Sequence, residues 1–507
     1  MMRSLFSGVT GLKSHSEGMS SIAHNIANVN TVAFKNAMML YSDNISQSAP
    51  SASGHGITEI SQVGLGVSVL TNRTMFQEGS FMQGTEPTDL AISGKGFFGL
   101  EKNGVVQYGR AGNFRFTKDG LLVDPNGYSL MSYAITNGVI AGTATPTQLN
   151  LSPTGQGYMA PNPTSSITLI ENLGSRETAT SISGNPFFGL AEAWNGEQQP
   201  PLSPNQYAYK GGISVIDAEG NRQSLDVYYD FVGTWNGKNI YQYLVATDPK
   251  ADGSAKAGSA SAGLLAAGTM TFAAGGQLED MTMFNAPATA GAFSLSSWTP
   301  ASFGDNGKPV ISANFVGVDG TPLGNQAMTI NFGIELDAGW RGSYGSAADV
   351  AANPAGLYSS PARKPEARSS SSYAGSSGTL NSVQNGYGYG NLTSLTVNPE
   401  GYLIGHYSNG QTQDLARIPL YNFINEEGLR HEGGNRYSAN SDSGMAIEGF
   451  PSEKNFGKLH EATLEESNVD LAKEFATMIM TQRGFQMNSK MVSTSDQMLQ
   501  KALELKR

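Results

Sequence analysis

The string GKGFFG at residues 94–99 has the glycine spacing of a dinucleotide-binding turn. That chemistry needs a helix opening at the second glycine, whose N-terminal N–H groups hold a pyrophosphate. Here the chain runs on as LEKNGVVQYG, which reads as strand and turn, so a glycine-punctuated hairpin is the better reading. The six histidines, His15, His24, His55, His406, His431 and His460, are scattered, with no HxxxH pair to hold a metal. Asp217 and Glu219 before Gly220 have the look of a calcium loop but lack its terminal glutamate. They read as turn chemistry. No GxSxG elbow or P-loop occurs, and with no cysteine there is no disulfide, thiolate site or cysteine nucleophile. No catalytic residue, cofactor or metal is expected, and the chain does not read as an enzyme.

What remains is a polar, glycine-rich, acidic protein. Sixty-two of its 507 residues are glycine, which implies many turns and short strands, and its length implies several domains. A net charge of −11 disfavours nucleic acid and anionic lipid as partners. No run of about 18 apolar residues marks a membrane span. The opening MMRSLFSGVTGLKSHSEGM breaks any apolar core of a cleavable secretory signal.

The two ends differ from the middle. Leu5, Leu12, Met19 and Ile26 recur every seven residues, with Gly8, His15, Ile22 and Val29 in the offset column. At the other end Leu464, Leu471, Met478, Phe485, Val492 and Leu499 recur likewise. Their offset column, Asn468, Phe475, Gln482, Ser489, Asp496 and Leu503, is half apolar. Both ends therefore read as helices with a narrow apolar seam, from about Ser4 to Asn30 and from Ser467 or Asn468 onward. The second, with Asp470 in its first turn, would run about 55–60 Å. Such helices either cover a domain or pair with each other and with other copies. His15 reads as a histidine packed in the seam. Met478, Met480, Met487, Met491 and Met498 fit core filling or a slip-tolerant interface. Gly484 implies a kink or a close helix approach.

Between the ends the pattern is antiparallel β. Asp119-Gly120, Asn126-Gly127 and Asn409-Gly410 supply hairpin turns, and Leu225, Val227 and Tyr229 alternate with Asp226, Tyr228 and Asp230. Residues 41–62 read as polar and extended, 251–268 as a surface loop, and 369–390 as a flexible connection.

Two segments carry a resemblance. SSIAHNIANVNTVAFKNA at residues 20–37 resembles the N-terminal signature of the flagellar rod and hook axial protein family. ESNVDLAKEFATMIMTQRGFQMNSKMVSTSDQML at 466–499 is similar to its C-terminal signature. Signature positions are Asn25, Asn28, Asn30, Phe34, Lys35, Ser467, Asn468, Asp470, Gln482, Arg483 and Gly484. DLAISGKGFFGL, YGRAGNFRFTKDGLLVDPNGY and VNPEGYLIG resemble the family's shared β domain, and YKGGISVIDAEGNRQSLDVYYDF with GTMTFAAGGQLEDM resembles a hook-type outer domain. Ala33 departs from the family's usual glycine.

The resemblance implies a mainly β chain with terminal α-helices. The helices, residues 1–30 and 464–507, would form a coiled-coil-like inner domain. Residues 31–70 would be an extended linker, 71–145 with 380–463 a shared β domain, and 146–379 an inserted outer β domain of one or two parts. Two or three antiparallel β domains would thus be nested between the helices. It implies a structural subunit of an extracellular, curved helical tube that transmits torque as a universal joint. Its partners would be its own copies, the distal rod protein, the hook cap, the hook–filament junction protein and the flagellar type III export apparatus. A rod protein with an insertion, an extracellular adhesin or glycan-binding β protein, and a cell-wall enzyme are the alternatives.

Overall fold

Asp470 decides where the last helix begins. Its Oδ1 accepts from the backbone N–H of Ala472 at 2.9 Å and of Lys473 at 3.2 Å, an N-cap, and the helix runs Leu471–Glu504. The start is thus later than Ser467 or Asn468, and the 34-residue helix spans roughly 50 Å. Leu464, assigned above to the helical seam, sits instead in strand Thr463–Glu465, paired with Phe81–Gln83. The N-terminal helix runs Met2–Ala27. It stops because the Asn28 side chain donates to the His24 carbonyl at 2.9 Å, which places Val29 and Asn30 beyond the helix.

The computed structural model describes residues 2–504 apart from 45–46, 51–59, 137, 141–144, 152–156, 181–183, 292, 305–306, 337–338, 341–343 and 360–361. His55 and the centre of the 41–62 stretch lie outside the described residues. The fold is mainly β with a helix at each end. The chain forms two compact units, Met1–Tyr158 with Leu392–Arg507, and Met159–Asn391. The family resemblance puts the exchange of chain at 145/146 and 379/380.

In the first unit, residues 31–70 are not simply an extended linker. Ala37–Asp43 pairs antiparallel with Val67–Thr74, and Gln47–Pro50 pairs with Ile60–Val63. The alternating half-buried residues of Ala37–Asp43 rest beside the N-terminal helix. The GKGFFG string leads into strand Phe97–Lys102, not a helix, so no pyrophosphate site forms there. That strand turns back through Asn103 and Gly104, both at positive φ, into Val105–Gly109, and also pairs with Ser129–Thr136 and Leu420–Asn422. Leu90–Ser93 pairs with Lys458–Glu461, which ties the two distant parts of this unit together.

The second unit is two sheets around one core. Tyr209–Ile216, Arg222–Trp235, Lys238–Thr247 and Leu264–Phe272 form a meander. Val310–Val316, Pro322–Asn331, Ser166–Asn172 and Gly378–Gln384 form the other sheet, with one parallel pairing. Val215, Val227, Tyr229, Ile167, Leu169 and Ile330 meet in the shared core. Two loop expectations, 251–268 and 369–390, fail in part here. Leu264–Phe272 is a strand buried along its whole length, because its small residues allow close approach. A Cβ at Gly268 would sit 1.9 Å from the Thr282 carbonyl. Gly378–Gln384 is likewise an ordered strand, and Ser371 N–H donates to the Glu171 carbonyl at 2.9 Å. Asp217 serves its turn, its Oδ1 accepting from Glu219 N–H at 3.0 Å and Asn221 N–H at 2.8 Å.

Glu171 lies buried between these sheets, its Oε1 accepting from Thr379 Oγ1 at 3.1 Å. Burial pushes its carboxyl up from 4.5 to about 7, the hydroxyls of Tyr229 and Thr379 offsetting this only in part. The folded state therefore holds this proton more tightly than the unfolded one. The stabilisation is full below about pH 4.5 and is lost as pH rises through about 7, up to about 3 kcal/mol. Denaturant melts of the full chain at pH 5 and pH 8 are expected to show this difference, and Glu171→Gln to flatten it.

Candidate assembly interface

Both helices leave from one buried charge cluster. Glu465, 1% exposed, accepts from Lys35 Nζ at 2.5 Å, from Arg110 Nε at 2.9 Å and from Gly79 N–H at 3.0 Å. Arg110 spends its remaining donors on the carbonyls of Ile92, Gly94 and Gly96. The GKGFFG glycines thus wrap a guanidinium rather than a phosphate. Burial works against the charged Glu465, but Arg110 first and then Lys35 outweigh it and hold its carboxyl below the ordinary value. Burial, and next Arg110, push the Lys35 ammonium down, with Glu465 pulling the other way.

Two asparagines fix how each helix meets the β unit. Asn25 Nδ2 donates to the Ala37 carbonyl at 2.9 Å and its Oδ1 accepts from Ala37 N–H at 3.0 Å, so an amide side chain stands in for a strand partner. The same Nδ2 lies 3.2 Å from Glu474 Oε1 on the other helix. Asn468 does the matching work, accepting from Asn36 N–H at 2.7 Å and donating to the carbonyls of Met75 and Gln77. Backbone bonds from Ala33 N–H to the Glu465 carbonyl and from Asn468 N–H to the Phe34 carbonyl close the junction. Phe34 is buried there, edge-on to His24.

The face where the helices meet keeps the offset column Gly8, His15 and Ile22 of the expected seam but not the leucine column. Gly8, Gly11, Ser14, Gly18, Ser21, Ile22 and Asn25 are the buried side of the N-terminal helix, while Leu5, Leu12, Met19 and Ile26 are only half-buried. A Cβ at Gly8 would lie 2.8 Å from Val492 Cγ2, and one at Gly11 would lie 2.7 Å from Asn488 Nδ2. In return the His15 ring occupies the space over Gly484, at 2.8 Å from a Cβ built there. Close approach therefore accounts for that glycine, and His15 packs against the partner helix. The small residues recur at three- and four-residue intervals, a legible helical stripe that an apolar heptad search passes over.

Because the meeting face is small and polar, the apolar residues of the C-terminal helix face elsewhere. Met478, Val492 and Leu499 are half-buried, whereas Leu471, Phe475, Phe485 and Leu503 are exposed, as are Gln482 and Arg483. At about 100° per residue, Leu471, Phe475, Phe485 and Leu503 lie on one flank of the meeting face. Met480, Met487, Met491 and Met498 lie on the opposite flank, all exposed. Ser467 marks the approach to the cap, its hydroxyl 3.4 Å from Val469 N. Neither Arg110 nor Glu465 was among the expected site residues, since only the fold brings positions 355 residues apart into contact. Among the described residues no group of three His, Asp or Glu side chains could hold a metal ion, and no helix is long and apolar enough to cross a membrane.

Three family models match parts of the chain. The model for the C-terminal region of flagellar basal body rod FlgEFG proteins matches residues 460–505. That for the flagellar basal body protein FlaE D2 domain matches 190–387, and that for the flagellar hook protein FlgE/F/G D1 domain matches 91–159. The flagellar hook protein FlgE of Borreliella burgdorferi is 31% identical over 514 residues, covering 100% of each chain. That of Escherichia coli is 30% identical over 501 residues, covering 98% of each. The chain belongs to the flagellar hook protein family. A crystal structure of Helicobacter pylori flagellar hook protein FlgE2 overlaps with a TM-score of 0.41 at 14% identity, over 75% of this chain and 99% of that one.

Within this hook-family chain, Ala33 holds φ of 54°, the left-handed region that glycine adopts freely. The bend after the first helix is thus kept although the glycine is gone. The charge cluster beside it makes a sharp prediction. Glu465→Gln leaves two buried cations facing each other and is expected to destabilise the first unit by about 3–5 kcal/mol in urea melts. Lys35→Met removes a charge that burial already disfavours, and is expected to cost clearly less. The depressed Glu465 carboxyl contributes stability above its ordinary value near 4.5 that is lost as pH falls further, so acid should erase the difference between wild type and Glu465→Gln.

Proposed function

We propose that this chain is a structural subunit of the bacterial flagellar hook, polymerising outside the cell into a curved helical tube that carries torque as a flexible joint. The observation that carries the reading is the C-terminal helix. It meets its own N-terminal helix largely through small and polar residues, with Val492 and His15 in the gaps, and turns Leu471, Phe475, Phe485 and Leu503 outward. Burying apolar surface gives about 25 cal/mol per Å², and a neighbouring copy laid along this flank would supply it. A head-to-tail contact with a rotation that does not close yields an open helix. The helix-to-helix face buries little apolar surface, so the terminal pair gains most of its order beside other copies.

The match to hook proteins along their full length, inserted region included, favours a hook subunit over a rod protein with an insertion. By the same kinship the neighbours are the distal rod protein, the hook cap and the hook–filament junction protein. Delivery is by the flagellar type III export apparatus without a cleaved signal. The methionine flank lets helices slide, since thioether chains refit with little loss of contact.

Two measurements test this. Phe475→Glu combined with Phe485→Glu is expected to leave the melting of the β units unchanged while raising the concentration needed for polymer at least about tenfold, some 1.4 kcal/mol per subunit. Polymer formed as readily as by wild type would overturn the reading. Met487→Ile with Met491→Ile is expected to assemble normally into stiffer tubes, seen by electron microscopy as a longer persistence length. Circular dichroism should also show more helix per chain in polymer than in monomer.

A further inference from the structure

The methionines differ widely in exposure, and Met38 and Met82, in strands of the first unit, are 45% and 43% exposed. Met270, Met281, Met283 and Met328 in the core of the second unit are at most 2% exposed. Met480, Met487, Met491 and Met498 are 65%, 72%, 45% and 49% exposed, and their spacings of seven, four and seven residues put all four sulfurs on one flank of the C-terminal helix. Met445, 86% exposed, lies in the first unit away from any helix.

We infer that these four thioethers form an oxidation site that gates assembly, in which peroxide or hypochlorite converts them to sulfoxides in the free chain and an oxidised chain fails to enter the polymer. The inference rests on the reading above that another copy of this chain covers this helix. The chemistry balances simply. A sulfur lone pair attacks the peroxide oxygen, an S–O bond forms as the O–O bond breaks, and the departing hydroxide takes a proton to become water. Sulfur loses two electrons and the peroxide gains them. The product is a strong hydrogen-bond acceptor on a side chain that had none to satisfy. Laid into an apolar contact it has no donor, and the polar atom loses its water without replacement. Four such groups in one row compound the effect, and of the four Met491 also borders the N-terminal helix, its Sδ lying 3.7 Å from a Cβ built at Gly8. Once a neighbour covers the flank, the sulfurs are out of reach, so oxidation before assembly blocks and oxidation after assembly does not.

The first arm of the test uses the unaltered chain. Full-length monomer is treated with hydrogen peroxide until about half of Met445 is oxidised, quenched, and driven to polymerise with ammonium sulfate. Polymer and soluble fractions are then separated by sedimentation, and each methionine is scored by peptide mass spectrometry. Sulfoxide at Met480, Met487, Met491 and Met498 is expected to be at least tenfold depleted in the polymer, while Met445 sulfoxide divides evenly. Reduction of the soluble fraction with a pair of methionine sulfoxide reductases, one for each epimer, is expected to restore assembly. Even partition of the four helix sulfoxides overturns the inference. A chain ending at Asp470 serves as the second arm. If it polymerises as well as the full chain, both the assembly role of the helix and this inference fall. If it does not, and the sulfoxides still partition evenly, only the inference falls.

Discussion

One carboxylate holds the two ends of this chain in place. Glu465 sits out of water with Lys35 and Arg110 on its two oxygens, and each cation comes from a different stretch of sequence. A buried charge is tolerable only when paired and fully hydrogen-bonded, and here one acid must answer two bases. That condition fixes three segments against one another at once: the exit from the first helix, the hairpin that carries Arg110, and the strand that leads into the last helix. Arg110 extends the constraint by gathering three carbonyls around the glycine loop. Everything that the terminal helices do starts from this fixed point.

From that point the helices run together through contacts that are close but chemically modest. Glycines admit the partner backbone, and Asn488, Val492 and His15 fill the gaps. A seam of leucines in the same place would have made a stable isolated hairpin of helices, with its apolar surface already satisfied. The small, polar seam does the opposite. It sets register and direction, and leaves Leu471, Phe475, Phe485, Leu503, Met480, Met487, Met491 and Met498 exposed. Self-recognition in this reading follows from what the intramolecular contact declines to bury.

The second unit contrasts with this. Its two sheets share a core rich in aromatic and branched residues, with a buried Glu171 among tyrosines as one costly polar feature. One of its sheets is a meander whose strands follow one another in sequence, whereas the other joins Ser166–Asn172 to Gly378–Gln384 from opposite ends of the unit. The first unit is completed by segments from both ends of the chain.

By itself the sequence determined the helical ends, the antiparallel middle and the hairpin turns, because period and turn chemistry are local properties. It also sufficed to exclude cysteine chemistry, and its end motifs pointed to the family. It misled where residue size mattered more than polarity. The alanine- and glycine-rich 264–268 segment reads as a loop, yet small side chains are what a strand pressed against Thr282 requires. The same blindness hid the glycine stripe, since apolar periodicity ranks glycine as a gap. Tertiary structure alone decided that Leu464 belongs to a strand, that Asp470 starts the helix, and that Glu465 meets Lys35 and Arg110. The physical reason is range: caps, seams and turns are written within a few residues, whereas a buried ion cluster exists only after distant segments have arrived.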